Sequence, residues 1–279
     1  MTVATLSEVL QPAIAGRYAV AGVVVLGWED ARAYVDAAEE LGVPIILQAG
    51  PGCRKHTPVP ILGKMFRHLA EQARVPVVCH IDHAMTGEEC VQGIDHGFTS
   101  VMIDGSALPI SQNIELTSRV VEIARRAGVS VEGEVGVVGY VEGKSSAYTL
   151  PEEAQLFERE TGVDALAISI GNVHLNMEKT SGIDKAELQK IEAVTRVPLV
   201  LHGGSGIPSE VRSQLARKSR VKKFNIGTEL RMAFGSALRN YLNQNPQTFD
   251  RNAILGSTIA PLKAETMNVL REMMTAEPR

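Results

Sequence analysis

Short runs of β-branched and aliphatic residues alternate along the chain with longer stretches in which apolar residues recur every three or four positions. The short runs fall at 19–26, 44–48, 75–81, 100–103, 130–135, 165–170, 198–201 and 221–226, and their Val and Ile content predicts buried strands. Between them, 29–41, 61–73, 110–127, 151–161, 184–194 and 209–218 carry the spacing of amphipathic helices, and 259–274 reads as a terminal one. Several helical stretches end in a glycine turn before the next strand, as at Leu41-Gly42-Val43-Pro44 and Ala127-Gly128-Val129. This alternation predicts a parallel sheet covered by helices. Eight such units in 279 residues point to a (β/α)8 TIM barrel with a C-terminal helix, residues 1–279 forming a single domain. A doubly wound open sheet is the alternative. It calls for a glycine-rich phosphate turn after an early strand, and Gly27-Trp28-Glu29-Asp30 has no GxGxxG.

A barrel of this kind gathers reactive groups at the C-terminal ends of its strands, where the βα loops converge. The third strand ends in His80-Ile81-Asp82-His83, the fourth in Ile103-Asp104-Gly105-Ser106, and the fifth runs into Glu132-Gly133-Glu134. The sixth runs into Gly171-Asn172-Val173-His174, the seventh into Leu201-His202-Gly203-Gly204-Ser205-Gly206, and the eighth into Asn225-Ile226-Gly227-Thr228-Glu229. Three histidines from separate strands, with carboxylates nearby, are the ligand set expected of a catalytic Zn²⁺ that keeps an open position. His80 shares the facing of Asp82 but lies deeper, as a packing or supporting residue. His56, His68 and His96 sit on a loop or predicted helices and read as solvated or capping residues. The seventh loop is rich in small residues just before a helix and suggests an anion cradle of backbone N–H groups; a tight turn in which glycine serves geometry alone is the other reading.

Composition narrows the function classes. Lys plus Arg is 28 against 32 for Asp plus Glu, a net charge of −4, which gives no electrostatic reason to expect nucleic acid or an anionic membrane as partner. No apolar run approaches a membrane span, and no leader pattern opens the chain, so a cytoplasmic protein is expected. The three cysteines, Cys53, Cys79 and Cys90, show no CxxC spacing and imply a reducing compartment. Cys79 and Cys90 are expected to be inert, while Cys53, in a flexible-looking loop, is a candidate reactive thiol.

The six rim blocks, in order and spacing over nearly the whole chain, resemble the class II, zinc-dependent ketose-bisphosphate aldolases, a family that includes fructose- and tagatose-bisphosphate enzymes. The resemblance implies His83, His174 and His202 as zinc ligands, with Asp104 and Glu134 near an alternative metal position. Asp82 resembles the catalytic acid/base, and Glu142 the mobile-loop glutamate that transfers a proton at carbon. Gly203, Ser205, Asn225 and Thr228 match positions that hold the dihydroxyacetone phosphate half, where the family commonly also uses a monovalent cation, Na⁺ or K⁺. Leu175 stands beside the second zinc histidine where glycine is usual. Arg251 is a candidate for a distal phosphate, with a solvated surface Arg as the equal alternative. Lys179, like Lys222 and Lys223, reads as a surface or phosphate-side charge, and none of them is required as a Schiff-base nucleophile.

The implied activity is a lyase of carbohydrate metabolism. It would reversibly cleave a phosphorylated ketose, of fructose 1,6- or tagatose 1,6-bisphosphate type, to dihydroxyacetone phosphate and an aldehyde through a metal-stabilised enediolate. Two alternatives stay open. One is a class II-type aldolase acting on a different ketose phosphate, and the other a non-catalytic sugar-phosphate-binding accessory subunit. A homodimer or homotetramer is expected from the resemblance.

Overall fold

The computed structural model describes residues 2–139, 146–180 and 182–274. Eight parallel strands follow one another in chain order: β1 (Val20–Val24), β2 (Ile45–Ala49), β3 (Val77–Ala84), β4 (Ser100–Ile103), β5 (Ser130–Val135), β6 (Ala165–Ile168), β7 (Leu199–Leu201) and β8 (Val221–Ile226). The pairing of β8 with β1, Val20 opposite Lys223, closes the ring, so the barrel is a (β/α)8 barrel without sheet edges. A further two-residue strand, Val3–Ala4, adds to β3 at the N-terminal end.

The expected helices form close to their periodic stretches, and the helix at 151–161 spans Pro151–Thr161 with proline in its first turn. Ile259–Met273 is the terminal helix. Among the described residues, five helices lacked a sequence signal. Leu6–Gly16 contains Pro12, a residue that usually interrupts a helix, yet it is started by a capping box between Thr5 and Glu8. Gly87–Asp95 carries two glycines; a Cβ on Gly93 would lie 2.5 Å from Ile81 Cγ1, so glycine is what lets this helix approach the barrel. Thr228–Gln244 buries Leu230 alone and so has no apolar stripe to read. Pro51–His56 and Arg251–Gly256 are six-residue helices in loops.

Strand residues alternate between two environments. Outward side chains form the large cluster under the helices. Inward side chains change character with height. At the floor, Val20, Ile46, Val78, Met102, Ala165 and Val200 pack against Leu6, Val9, Leu10 and Ala13 of the N-terminal helix, which closes that end. Above them Gln48, His80, Ser100, Glu132 and Lys223 are fully buried and polar. Along β3 the inward sequence Val78, His80, Asp82 runs from apolar floor to polar mouth, a period of two that carries the chain into the site.

Candidate active site

The end of β3 departs from regular strand geometry. The β3–β4 register shifts between Ile81 and Ala84, and His83 has φ +51°. Neighbours on a regular strand face opposite ways; here both Asp82 and His83 reach the same cavity at the mouth. Arg54, which carried no sequence signal, holds this distortion. Its guanidinium donates to the carbonyls of Asp82 (2.6 Å) and His83 (3.0 Å) and pairs with Glu89 at 3.2 Å.

Around that point the imidazoles of His83, His174 and His202 converge. Their ring centroids lie 5.5 Å (83 to 174), 4.6 Å (83 to 202) and 5.7 Å (174 to 202) apart, and one nitrogen from each falls within 4.8 Å of the others. Two rings are oriented by carboxylates. His202 Nε2 donates to Glu132 Oε1 at 3.0 Å, leaving its buried Nδ1 without a hydrogen-bond partner. His83 Nδ1 donates to Asp104 Oδ2 at 2.8 Å, which fixes the orientation of its ring. Glu134 Oε2 is also buried and unpartnered, 3.7 Å from His202 Nδ1 and 3.8 Å from His83 Nδ1. His83, Asp104 and Glu134 form a second group whose ligand atoms converge. Orphaned buried lone pairs aimed at one point are what a divalent cation satisfies, so the donor set fits a metal ion.

The electrostatics agree. Burial, then the neighbouring His202 and His83, pushes His174 down to about 3, and burial drives His202 well below the usual imidazole range, so both rings are neutral, the form that can donate a lone pair. His83 is the exception: burial opposes its charge, but Asp82, the Asp104 hydrogen bond and Glu134 hold it up to about 9. Burial and then the Asp104 charge push Glu134 up to about 8. Asp104 is held far below the usual carboxylate range, because the His83 hydrogen bond and charge outweigh its own burial. The carboxylates therefore favour positive charge at His83, while His174 and His202 stay uncharged.

Asp82 is buried beside the imidazoles, its Oδ1 accepting from Gln48 Nε2 (3.0 Å) and Asn225 Nδ2 (3.2 Å). One level deeper, Lys223 Nζ lies 2.5 Å from Glu132 Oε2 and 3.5 Å from His80 Nε2, and His80 Nδ1 is 2.8 Å from Ser100 Oγ. Lys222 and Lys223 are thus not surface or phosphate-side charges. Lys223 lies inside the barrel and neutralises the glutamate that orients His202, while Lys222 is buried on the other face with its ammonium on Ala216 O, 2.6 Å away. Cys53 is likewise no loop thiol: it is buried in Pro51–His56, and burial pushes its thiol up to about 11.

The cavity at the mouth measures about 290 Å³. Asp82, His83, His174, Leu175, Gly203, Ser205, Asn225 and Thr228 line it, together with Gly50 and Arg231. Arg231 was not foreseen; it lies three residues after Thr228 on the same helix and so shares its face. Gly203 has φ +64°, and a Cβ there would lie 2.0 Å from Val173 O, so the seventh loop abuts the His174 loop through glycine. Leu175 adopts φ +56°, a left-handed conformation costly for leucine. Asp104, Glu134 and His202 do not line the cavity but contact His83, which does; Lys179 and Arg251 do not line it either: Lys179 pairs with Glu229 at 3.3 Å, and Arg251 opens an exposed helix. Glu142 lies outside the described residues.

The sequence model of the family "Fructose-bisphosphate aldolase class-II" matches residues 4–277. The chain belongs to this family. A fructose-bisphosphate aldolase of Geobacillus stearothermophilus is 38% identical over 279 residues, covering 98% of this chain and 97% of the relative. A 6-phospho-5-dehydro-2-deoxy-D-gluconate aldolase of Bacillus licheniformis is 36% identical over 280 residues, covering 98% and 95%. The crystal structure of the YdjI aldolase from Escherichia coli K12 superposes with a TM-score of 0.85 at 31% identity, covering 97% of both chains. As a class II aldolase the chain is a carbon–carbon lyase that takes a phosphorylated sugar and uses a divalent metal. Among the described residues no helix is long and apolar enough to cross a membrane.

Proposed function

We propose that this aldolase binds Zn²⁺ through His83, His174 and His202 and reversibly cleaves a ketose bisphosphate of the fructose 1,6- or tagatose 1,6-bisphosphate type to dihydroxyacetone phosphate and an aldehyde. The observation that carries the reading is the convergence of three imidazoles, two oriented by carboxylates, directly beside the amide-bound carboxylate of Asp82. When bound, the ion supplies electrophilic stabilisation of the negative charge that develops at the carbonyl oxygen as the carbon–carbon bond breaks. Asp82 takes the proton from the C4 hydroxyl, letting the aldehyde depart; Gln48 and Asn225 fix its carboxylate for that transfer. Gly203, Ser205, Asn225 and Thr228 hold the phosphate of the dihydroxyacetone half, with Na⁺ or K⁺ beside it. Asp104 and Glu134 form the alternative metal position. Glu142 is assigned proton transfer at carbon by family resemblance. A cytoplasmic homodimer or homotetramer, in which Arg251 serves a neighbouring subunit's substrate, completes the reading.

A different ketose phosphate is the second reading, favoured by Leu175 in its left-handed conformation at the cavity wall and by the Bacillus licheniformis relative. A panel of fructose 1,6-bisphosphate, tagatose 1,6-bisphosphate and 6-phospho-5-dehydro-2-deoxy-D-gluconate decides between them. The first reading expects turnover of a bisphosphate that EDTA abolishes and borohydride leaves unaffected. Turnover of the gluconate alone supports the second, and borohydride trapping of an enzyme adduct contradicts both.

A further inference from the structure

Arg212, on the helix Ser209–Lys218 behind the seventh loop, is fully buried and has no part in the mechanism above. Its guanidinium grips three separate segments. Nη1 donates to the carbonyl of Gly204 at 3.3 Å and to Glu229 Oε1; Nη2 donates to Glu229 Oε2 at 3.3 Å and pairs with Glu272 of the terminal helix at 2.5 Å. Lys179, from the segment that follows His174, closes the cluster by pairing with Glu229 at 3.3 Å and donating to Ser209 Oγ at 3.3 Å.

Two of these grips act on the anion cradle. In a trans peptide the C=O and N–H point in opposite directions, so holding the Gly204 carbonyl toward Arg212 turns the Ser205 N–H away from it. Glu229, held by the fork, donates its backbone N–H to Ser205 Oγ at 3.3 Å, and Gly227 N–H donates to the same oxygen at 3.2 Å. With both lone pairs of the hydroxyl occupied, its proton is left to donate elsewhere, and Ser205 lines the cavity. A guanidinium offers five donors in a rigid, extended plane, so it reaches a carbonyl and two carboxylates at fixed angles, a fork that the compact ammonium of a lysine does not reproduce.

We infer that Arg212 is a positioning residue for substrate phosphate: by fixing the Gly204–Ser205 peptide and the Glu229 backbone from behind, it presets the donors of the cradle without touching the ligand. The inference rests on the reading of the seventh loop as the phosphate site.

The test measures binding of inorganic phosphate, KM, kcat and metal content in the wild type, Arg212→Lys and Glu229→Gln. For Arg212→Lys the expectation is a phosphate Kd and a KM raised about tenfold, with kcat within about threefold and metal content unchanged, because the lost interaction is uniform binding. Glu229→Gln keeps the backbone donor to Ser205 but weakens the clamp, and should raise both constants by about threefold. A folded Arg212→Lys that binds phosphate as the wild type does, or whose kcat falls at unchanged KM, overturns the inference. Should Arg212→Lys fail to fold, an unaltered Kd in Glu229→Gln overturns it in the same way. A wild type that does not bind phosphate overturns the cradle reading itself.

Discussion

The Asp82 carboxylate shows how much of a residue's role its neighbours set. One oxygen accepts from two amides while the side chain stays buried beside three imidazoles, so the carboxylate is held in one orientation. Asp82→Asn preserves shape and removes the base; we expect kcat to fall by about 10²–10⁴ with metal content unchanged, and a loss below tenfold would show that another group takes the proton. Regular strand alternation would set Asp82 and His83 on opposite faces, and nothing in the residue order marks the register shift and positive φ that bring both to the mouth. Cys53 was misread for a similar reason. The run Gly50-Pro51-Gly52 looks like a loop, yet proline suits the first turn of a helix, and the helix buries the thiol. With its pKa pushed up to about 11, Cys53 should resist alkylation at pH 8 in the native protein and react only after denaturation; rapid native labelling at this position would contradict the burial.

Among elements, the strands were legible because a parallel barrel strand buried on both faces must be a short β-branched run; the ranges at 100–103, 130–135 and 221–226 coincide with β4, β5 and β8. The N-terminal helix was hidden by Pro12, although it seals the barrel floor. Because Leu10 packs against that floor and not the mouth, Leu10→Ala should lower stability by about 2–5 kcal/mol in denaturant titration while leaving kcat of the folded enzyme unchanged. A loss of activity in the folded fraction would mean that floor and site are coupled. Thr228–Gln244 went unseen because it buries little, and Arg231 on its first turn went unseen with it.

For the whole molecule, barrel closure is what turns histidines at positions 83, 174 and 202 into neighbours. Their convergence was legible from strand-end positions alone. Carboxylates near the histidines, Asp104 among them, were legible too; the orienting role of Glu132 and its pairing with Lys223 were not, because facing a lysine inward depends on a polar middle layer that only the closed barrel creates. Anomalous diffraction at the zinc edge from crystals of the zinc-loaded protein tests the central claim directly. One peak is expected about 2.0–2.1 Å from a nitrogen of each of His83, His174 and His202. A peak elsewhere, or none at that point, would contradict the account.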